Sequence, residues 1–209
     1  MDDKKKEAGR LFMAKTKLVV ASGNAHKIRE IAEIFTDFEV VSQKEMGFTD
    51  EVEETGKTFA ENALIKARAA ANALGVIALA DDSGLCVDAL NGAPGIYSAR
   101  YCGKHGSDAE NRAVLLQNLQ GVADRSAHFT SAVALVYPDG KEFVAEGHTY
   151  GNILQEEKGE DGFGYDCLFE SEDLKKSFAE ATPEEKNAVS HRGRALSALL
   201  KMWRAQEGL

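Results

Sequence analysis

Two acidic stretches carry the side chains best suited to chemistry: Glu51-Val52-Glu53-Glu54, and Asp81-Asp82 within Ala80-Asp81-Asp82-Ser83-Gly84. Hard divalent cations such as Mg²⁺ take carboxylate oxygens together with waters and substrate phosphates, so one carboxylate from each stretch would make a site. Read alone, the first stretch equally describes a solvated acidic loop. The second is harder to dismiss, because two adjacent negative charges directly after the apolar run of residues 76–80 are a costly placement unless something uses them.

Positive groups are spread along the chain at Lys27, Lys66, Lys186, His191 and Arg192. Each could equally be a surface charge. Lys27 sits in the opening turn of an expected helix, after the small polar turn Ser22-Gly23-Asn24 and the residues Ala25-His26. Free backbone N–H groups and the positive dipole end at such a turn favour anions, and a lysine placed there needs an anion nearby. Lys66 lies at the edge of an apolar helical stripe, so its stem can run along apolar surface toward a cleft. In Gly159-Glu-Asp-Gly-Phe-Gly-Tyr-Asp-Cys-Leu-Phe169, glycines alternate with Phe163 and Tyr165. That pattern suits a backbone approaching a flat ligand beside an aromatic ring, and equally a bulged strand relieving crowding; spacing does not choose between them. Ser190-His191-Arg192-Gly193 opens the last helix and offers donors able to read a carbonyl oxygen on a base, and it equally describes a helix cap followed by an exposed histidine. Triads in Ser-His-Asp order, HExxH, P-loop and GxGxxG motifs are absent in usable context.

The elements that would position these residues alternate early. Leu18–Ala21 reads as a strand, Ile28, Ile31, Ile34 and Phe35 as a helix face, and residues 38–42 as a second strand. A long helix follows, with Thr58 and Glu61 in capping-box order and Gly75 at its end, and then a strand over residues 76–82 that ends in the two aspartates. After an irregular loop, Ser107 and Glu110 mark another capping box. Two strand-like runs around Pro138-Asp139-Gly140 predict an antiparallel hairpin, and Thr182-Pro183-Glu184-Glu185 predicts a capped helix start. The result is an α/β protein with a mixed sheet, its ligand expected beyond the carboxyl ends of strands.

At 209 residues the chain suits one domain with room for two lobes. Residues 1–12 are set aside as a flexible N-terminal extension, and 13–209 as the domain. The excess of 34 acidic over 25 basic residues argues against a nucleic-acid or acidic-membrane binder, while leaving a small phosphorylated ligand open. Three cysteines without metal-ligand spacing, and no long apolar run, fit a reducing cytoplasm.

Taken together, ASGNAHK, EETGKTFAENALIKARAAA, ADDSGLCVDALNGAPGIYSARY, GFGYD and TPEEKNAVSHRGRAL resemble the non-canonical purine nucleoside triphosphate pyrophosphatases, the inosine triphosphatase or Ham1-like family, in register from about Lys17 to Trp203. The resemblance implies a long mixed sheet with flanking helices, split into two lobes by a deep cleft. It implies a cytoplasmic, homodimeric enzyme that requires Mg²⁺. Such an enzyme cleaves ITP, dITP and XTP to the monophosphate and pyrophosphate by water attack at the α-phosphorus. Carried over by position, residues 22–27 (Ser22, Gly23, Asn24, Ala25, His26 and Lys27) would form the phosphate turn. Glu54 and Asp82 would hold the metal, with Asp82 as general base and Asp81 and Glu51 as second choices near the ion. Lys66, Ser83 and Lys186 would contact phosphate or neighbouring groups; Phe163, Gly164, Tyr165 and Asp166 would wall the base pocket; His191 and Arg192 would read the 6-oxo group. Two positions depart from the usual pattern: Cys167 stands where proline is common, and Ser22 where threonine is more frequent. A nucleotide-binding protein without chemistry, and a pyrophosphatase with another base preference, are the rival readings.

Overall fold

The structure, a computed structural model, describes residues 15–103 and 107–208; the extension expected over residues 1–12 lies outside them. Strands β1 (Thr16–Val20) and β2 (Phe38–Ser42) are parallel and joined through helix α1 (Ala25–Ile34), as the alternating apolar pattern predicts. β3 (Ile77–Val87) pairs parallel with β1 on one side and antiparallel with β4 (Ser126–Val136) on the other. The expected hairpin joins β4 to β5 (Glu142–Ile153) through a tight turn in which Gly140 N–H donates to Tyr137 O at 3.0 Å. A short β6 (Phe169–Ser171) closes a six-stranded mixed sheet in the order β2-β1-β3-β4-β5-β6.

One expectation is corrected. β3 does not end at the aspartates; it continues through Asp81 and Asp82 to Val87, paired with β4 along the way. β1 pairs with it only as far as Leu79. The aspartates therefore lie inside a strand, yet just beyond the carboxyl end of its parallel neighbour. Because side chains alternate across a strand, they face opposite sides of the sheet.

Each face has its own core. On one, Leu18, Val20, Leu79, Val133 and Leu135 are buried beneath α1 and helix α5 (His191–Glu207), which contributes Leu196, Leu199 and Trp203. On the other, Val19, Ala78, Ala80, Ala132 and Ala134 meet Ala63, Ala67, Ala70 and Ala71 of helix α2 (Phe59–Leu74). This nearly all-alanine contact lets α2 lie close to the sheet, which brings the side chains at its edge within reach of β3. A third cluster, with Leu85, Phe129, Phe169 and Phe178, lies at the far end of the strands beneath helix α3 (Asp108–Asn118).

Local signals set the helix ends. Thr58 Oγ1 accepts from Glu61 N–H at 3.1 Å, and the Glu61 carboxylate accepts from Lys57 N–H at 2.5 Å, one residue earlier than a reciprocal box would have it. At helix α4 (Pro183–Val189) the box is reciprocal between Thr182 and Glu185. Ser107 departs from expectation: its hydroxyl donates to the Glu110 side chain at 2.7 Å rather than capping backbone. Among the described residues, no helix is long and apolar enough to cross a membrane.

Candidate active site

Where β3 passes the end of β1, its two aspartates organise two separate charge networks. Asp82 faces α2. Its Oδ1 lies 3.1 Å from Lys66 Nζ, and its Oδ2 accepts from Asn62 Nδ2 at 3.2 Å. The same Lys66 ammonium lies 2.8 Å from Glu54 Oε1. Two carboxylates, one from a loop and one from a strand, thus converge on a single cation. Glu54 is turned in, while Glu51 and Glu53 are exposed. Burial raises the Asp82 carboxyl, Lys66 opposes that shift and Glu54 adds to it; the net movement is upward. Burial would lower Lys66, but Asp82 and Glu54 outweigh it and hold the ammonium charged.

Asp81 faces α5 and is buried. One oxygen, Oδ2, takes Lys27 Nζ at 2.8 Å, Arg192 Nε at 3.1 Å and the Ser83 hydroxyl at 3.3 Å. Arg192 donates a second time, through Nη1, to Glu30 at 2.8 Å. Burial would raise the Asp81 carboxyl, but Lys27 and Arg192 overcome it and hold it well below the usual carboxylate range. The expectation that Lys27 needs an anion is met from within the chain. Asp81, the second choice near a metal, leaves β3 on the face opposite Asp82 and is engaged by Lys27 and Arg192, yet it lies close enough to Lys66 for each to stabilise the other's charge. Glu51, the other second choice, points to solvent.

A pocket opens between Ser83, Ser98, Phe163, Lys186 and His191. Gly164 and the buried Asp166 also line it, and Asp166 Oδ2 accepts from Phe163 N–H at 2.9 Å and from Lys186 Nζ at 2.6 Å. Lys186 Nζ sits 4.6 Å from the centre of the Phe163 ring, which is 56% exposed and available for stacking. Tyr165 lines the pocket as well; it is largely buried, and its hydroxyl donates to Ser98 O at 2.8 Å. The stretch 159–169 is thus a loop ending in a short 3₁₀ turn, not a bulged strand. The His191 ring stacks on Phe129 with centroids 5.0 Å apart, and its Nδ1 is shielded from water with no hydrogen-bond partner among the described residues. Burial, with Arg192 and Lys186 nearby, lowers His191 well below the usual histidine range, so the ring is neutral and one nitrogen is an acceptor.

The turn Ser22-Gly23-Asn24 is ordered by its own side chains: Ser22 Oγ accepts from Asn24 N–H at 3.1 Å, and Asn24 Oδ1 from Lys27 N–H at 3.4 Å. It hands the chain to α1 at Ala25, with no acidic residue in the first helical turn to compete for an anion. His26 lies in that turn of α1.

Sequence reasoning missed several members. Asn62 is fully buried, braces Asp82 and accepts from Gly56 N–H at 2.9 Å; an asparagine next to the alanine stripe of α2 was its signal. Glu30, Ser98, Arg100 and Phe129 carried none, because each meets the site only through the tertiary fold; Arg100 Nη1 stands 3.9 Å from Glu54.

A mixed sheet whose central strand sends two carboxylates to opposite faces, beside a pocket walled by one exposed aromatic ring and basic groups, defines a class of α/β protein built to hold a phosphorylated, ring-bearing ligand. The family model described as "Ham1 family" matches residues 18–202, and the chain belongs to that family. A protein of Clostridium perfringens named dITP/XTP pyrophosphatase is 51% identical over 193 residues, covering 88% of this chain and 95% of that one. One of the same name from Streptomyces coelicolor is 49% identical over 195 residues, 90% and 98% of the two chains. The solved structure of the Staphylococcus aureus Ham1 protein superposes with a TM-score of 0.86 at 43% identity, covering 91% of this chain and 99% of that one.

Proposed function

We infer that this chain is an enzyme that hydrolyses non-canonical purine nucleoside triphosphates, among them dITP, ITP and XTP, to the monophosphate and pyrophosphate. The observation that carries the reading is the convergence of Glu54 and Asp82 on one ammonium, one residue along β3 from the pocket lined by Ser83. The names of the relatives support the reaction and the substrate class.

Lys66 Nζ marks where two carboxylate oxygens can share a positive charge, and such a donor set fits Mg²⁺ completed by waters and phosphate oxygens. Glu54 and Asp82 would hold that ion, which when bound offsets triphosphate charge and acidifies water. Asp82, raised by burial, accepts a proton from the attacking water as the new oxygen bond to the α-phosphorus forms and the bond to the bridging oxygen breaks; pyrophosphate leaves. Lys27, Lys66 and the turn of residues 22–27 at the start of α1 bind the phosphates. All of the basic side chains placed here, Lys27, Lys66, Lys186 and Arg192, are paired with carboxylates in the free protein, so the substrate must take over existing ion pairs. That exchange disfavours ligands lacking the full phosphate charge.

At the other end, Phe163 stacks on the base while Arg192 and the His191 ring face its 6-position. A 6-oxo group accepts from those donors; the 6-amino group of adenine leaves them unpaired in a buried place, which rejects it, whereas guanine shares the 6-oxo group and is told from hypoxanthine and xanthine only by its 2-amino group. Cytoplasmic residence and a homodimer belong to the same reading, and exposed Tyr97 and Tyr150 offer apolar surface that a second copy would cover. The test is product analysis across a nucleotide panel: pyrophosphate and monophosphate from dITP and XTP, little from dATP or dGTP, and none with chelator. Orthophosphate as the first product, or equal rates on all four standard deoxynucleotides, contradicts the reading.

A further inference from the structure

We propose that Asp108 and Arg112 of α3 are positioning residues that grip both backbone polar groups of Gly164 and thereby hold the Phe163 ring where the base must stack; the proposal rests on the base-binding reading of that pocket. Gly164 N–H donates to Asp108 Oδ2 at 2.8 Å, and Arg112 Nη1 donates to Gly164 O at 2.9 Å. Asp108 and Arg112 are four residues apart, so they project from one face of the helix. Arg112 is itself fixed from behind, its Nε donating to Glu157 Oε1 at 2.7 Å.

The loop needs such a hold. Gly164 has φ +60, in the left-handed region, and Gly159 and Gly162 are left-handed too, so the backbone on the approach to the ring is permissive. Phe163 is mostly exposed and gains little from core packing. Lys186 holds the loop from the other flank through Asp166 and lies against the Phe163 ring. Without α3, Gly164 next to the ring would lose both of these backbone bonds, leaving the Tyr165 hydroxyl on Ser98 O and the Asp166–Lys186 pair to hold the loop. A guanidinium suits the task because it donates in two directions from one plane, to Gly164 and to Glu157 together; a lysine ammonium presents a single point of charge without that fixed fork.

The test compares Arg112→Met and Arg112→Lys with the wild type on three readouts. KM for dITP should rise about tenfold in Arg112→Met, in line with losing a charge-assisted bond to the loop, and less in Arg112→Lys, with kcat changed by no more than about twofold. Inhibition by inorganic tripolyphosphate, which fills only the phosphate end, should keep its Ki. Amide exchange in residues 162–166 should quicken. An unchanged KM, or a KM and tripolyphosphate Ki that rise together, overturns the proposal, the second because it signals damage to the whole cleft. Should the wild type leave dITP untouched, the function reading falls and exchange alone decides: faster exchange in Arg112→Met supports the clamp, and unchanged exchange refutes it.

Discussion

Replacing Asp81 by asparagine isolates one charge in the most buried network of the site. The amide keeps the shape and can offer an oxygen to Lys27, Arg192 and Ser83, so what disappears is the negative charge shared by two cations. Breaking a buried ion pair by removing one partner costs about 3–5 kcal/mol. Here the lower end applies, for two structural reasons. Arg192, whose side chain is 7% exposed, retains Glu30 at 2.8 Å, and Lys27, at 21% exposed, can turn toward water. A loss of about 3 kcal/mol is therefore expected at pH 7, roughly two decades in the folding constant, and about 6–12 °C in Tm for a chain of this size. Urea unfolding with paired m-values measures it. The pH dependence carries a definite sign. A carboxylate held below its unfolded value contributes stability that is full above the usual carboxylate range and is lost as pH falls through the folded value. The gap between wild type and variant should thus be widest near neutrality and shrink in acid. A penalty below about 1 kcal/mol, or one that grows as pH falls, would refute the assignment of Asp81 to a buried ion network.

Phe163→Ala should leave the melting temperature nearly unchanged, since the ring is exposed, but raise KM for dITP by roughly tenfold to a hundredfold, the worth of stacking one base; steady-state kinetics with tripolyphosphate inhibition as the control decide it. Lys66→Met removes the cation between Glu54 and Asp82. Its melting temperature should fall in chelator and recover on adding Mg²⁺ by more than the wild type gains, read by thermal shift. Gly84→Ala places a methyl against Ser98 Oγ and the backbone oxygen of Gly95, the first of which also holds Leu85 N–H at 2.9 Å. Overpacking there should cost about 1–3 kcal/mol in chemical unfolding, and a neutral result would mean the 95–100 turn yields freely.

What the sequence made legible was local. The cap of α4, the hairpin turn and the apolar face of α5 are encoded within a few residues and the structure places them as read, while at α2 the Thr58 cap and Gly75 end hold but Glu61 reaches Lys57 N–H instead of closing the box. Asp81-Asp82 stood out for the same reason, as charge after an apolar run. Ending the strand there was wrong because a mid-strand charge is costly only without partners, and the partners come from far away: Arg192 is 111 residues from Asp81, and Glu30 is 162 from Arg192. No window of sequence contains that network. The same distance hid the division of labour between the two aspartates, which follows from strand alternation once β3 is known to continue. Asp108 and Arg112 were invisible as site residues because they act on backbone 56 and 52 residues away.

Pyrophosphate release from dITP by the wild type and Asp82→Asn, assayed side by side with Mg²⁺, tests the central claim most directly. The pairing of Glu54 and Asp82 as the seat of chemistry requires rapid release by the wild type and a loss of at least about a thousandfold in the variant, with its melting temperature little changed. A variant that folds and still turns over dITP at a comparable rate would contradict it.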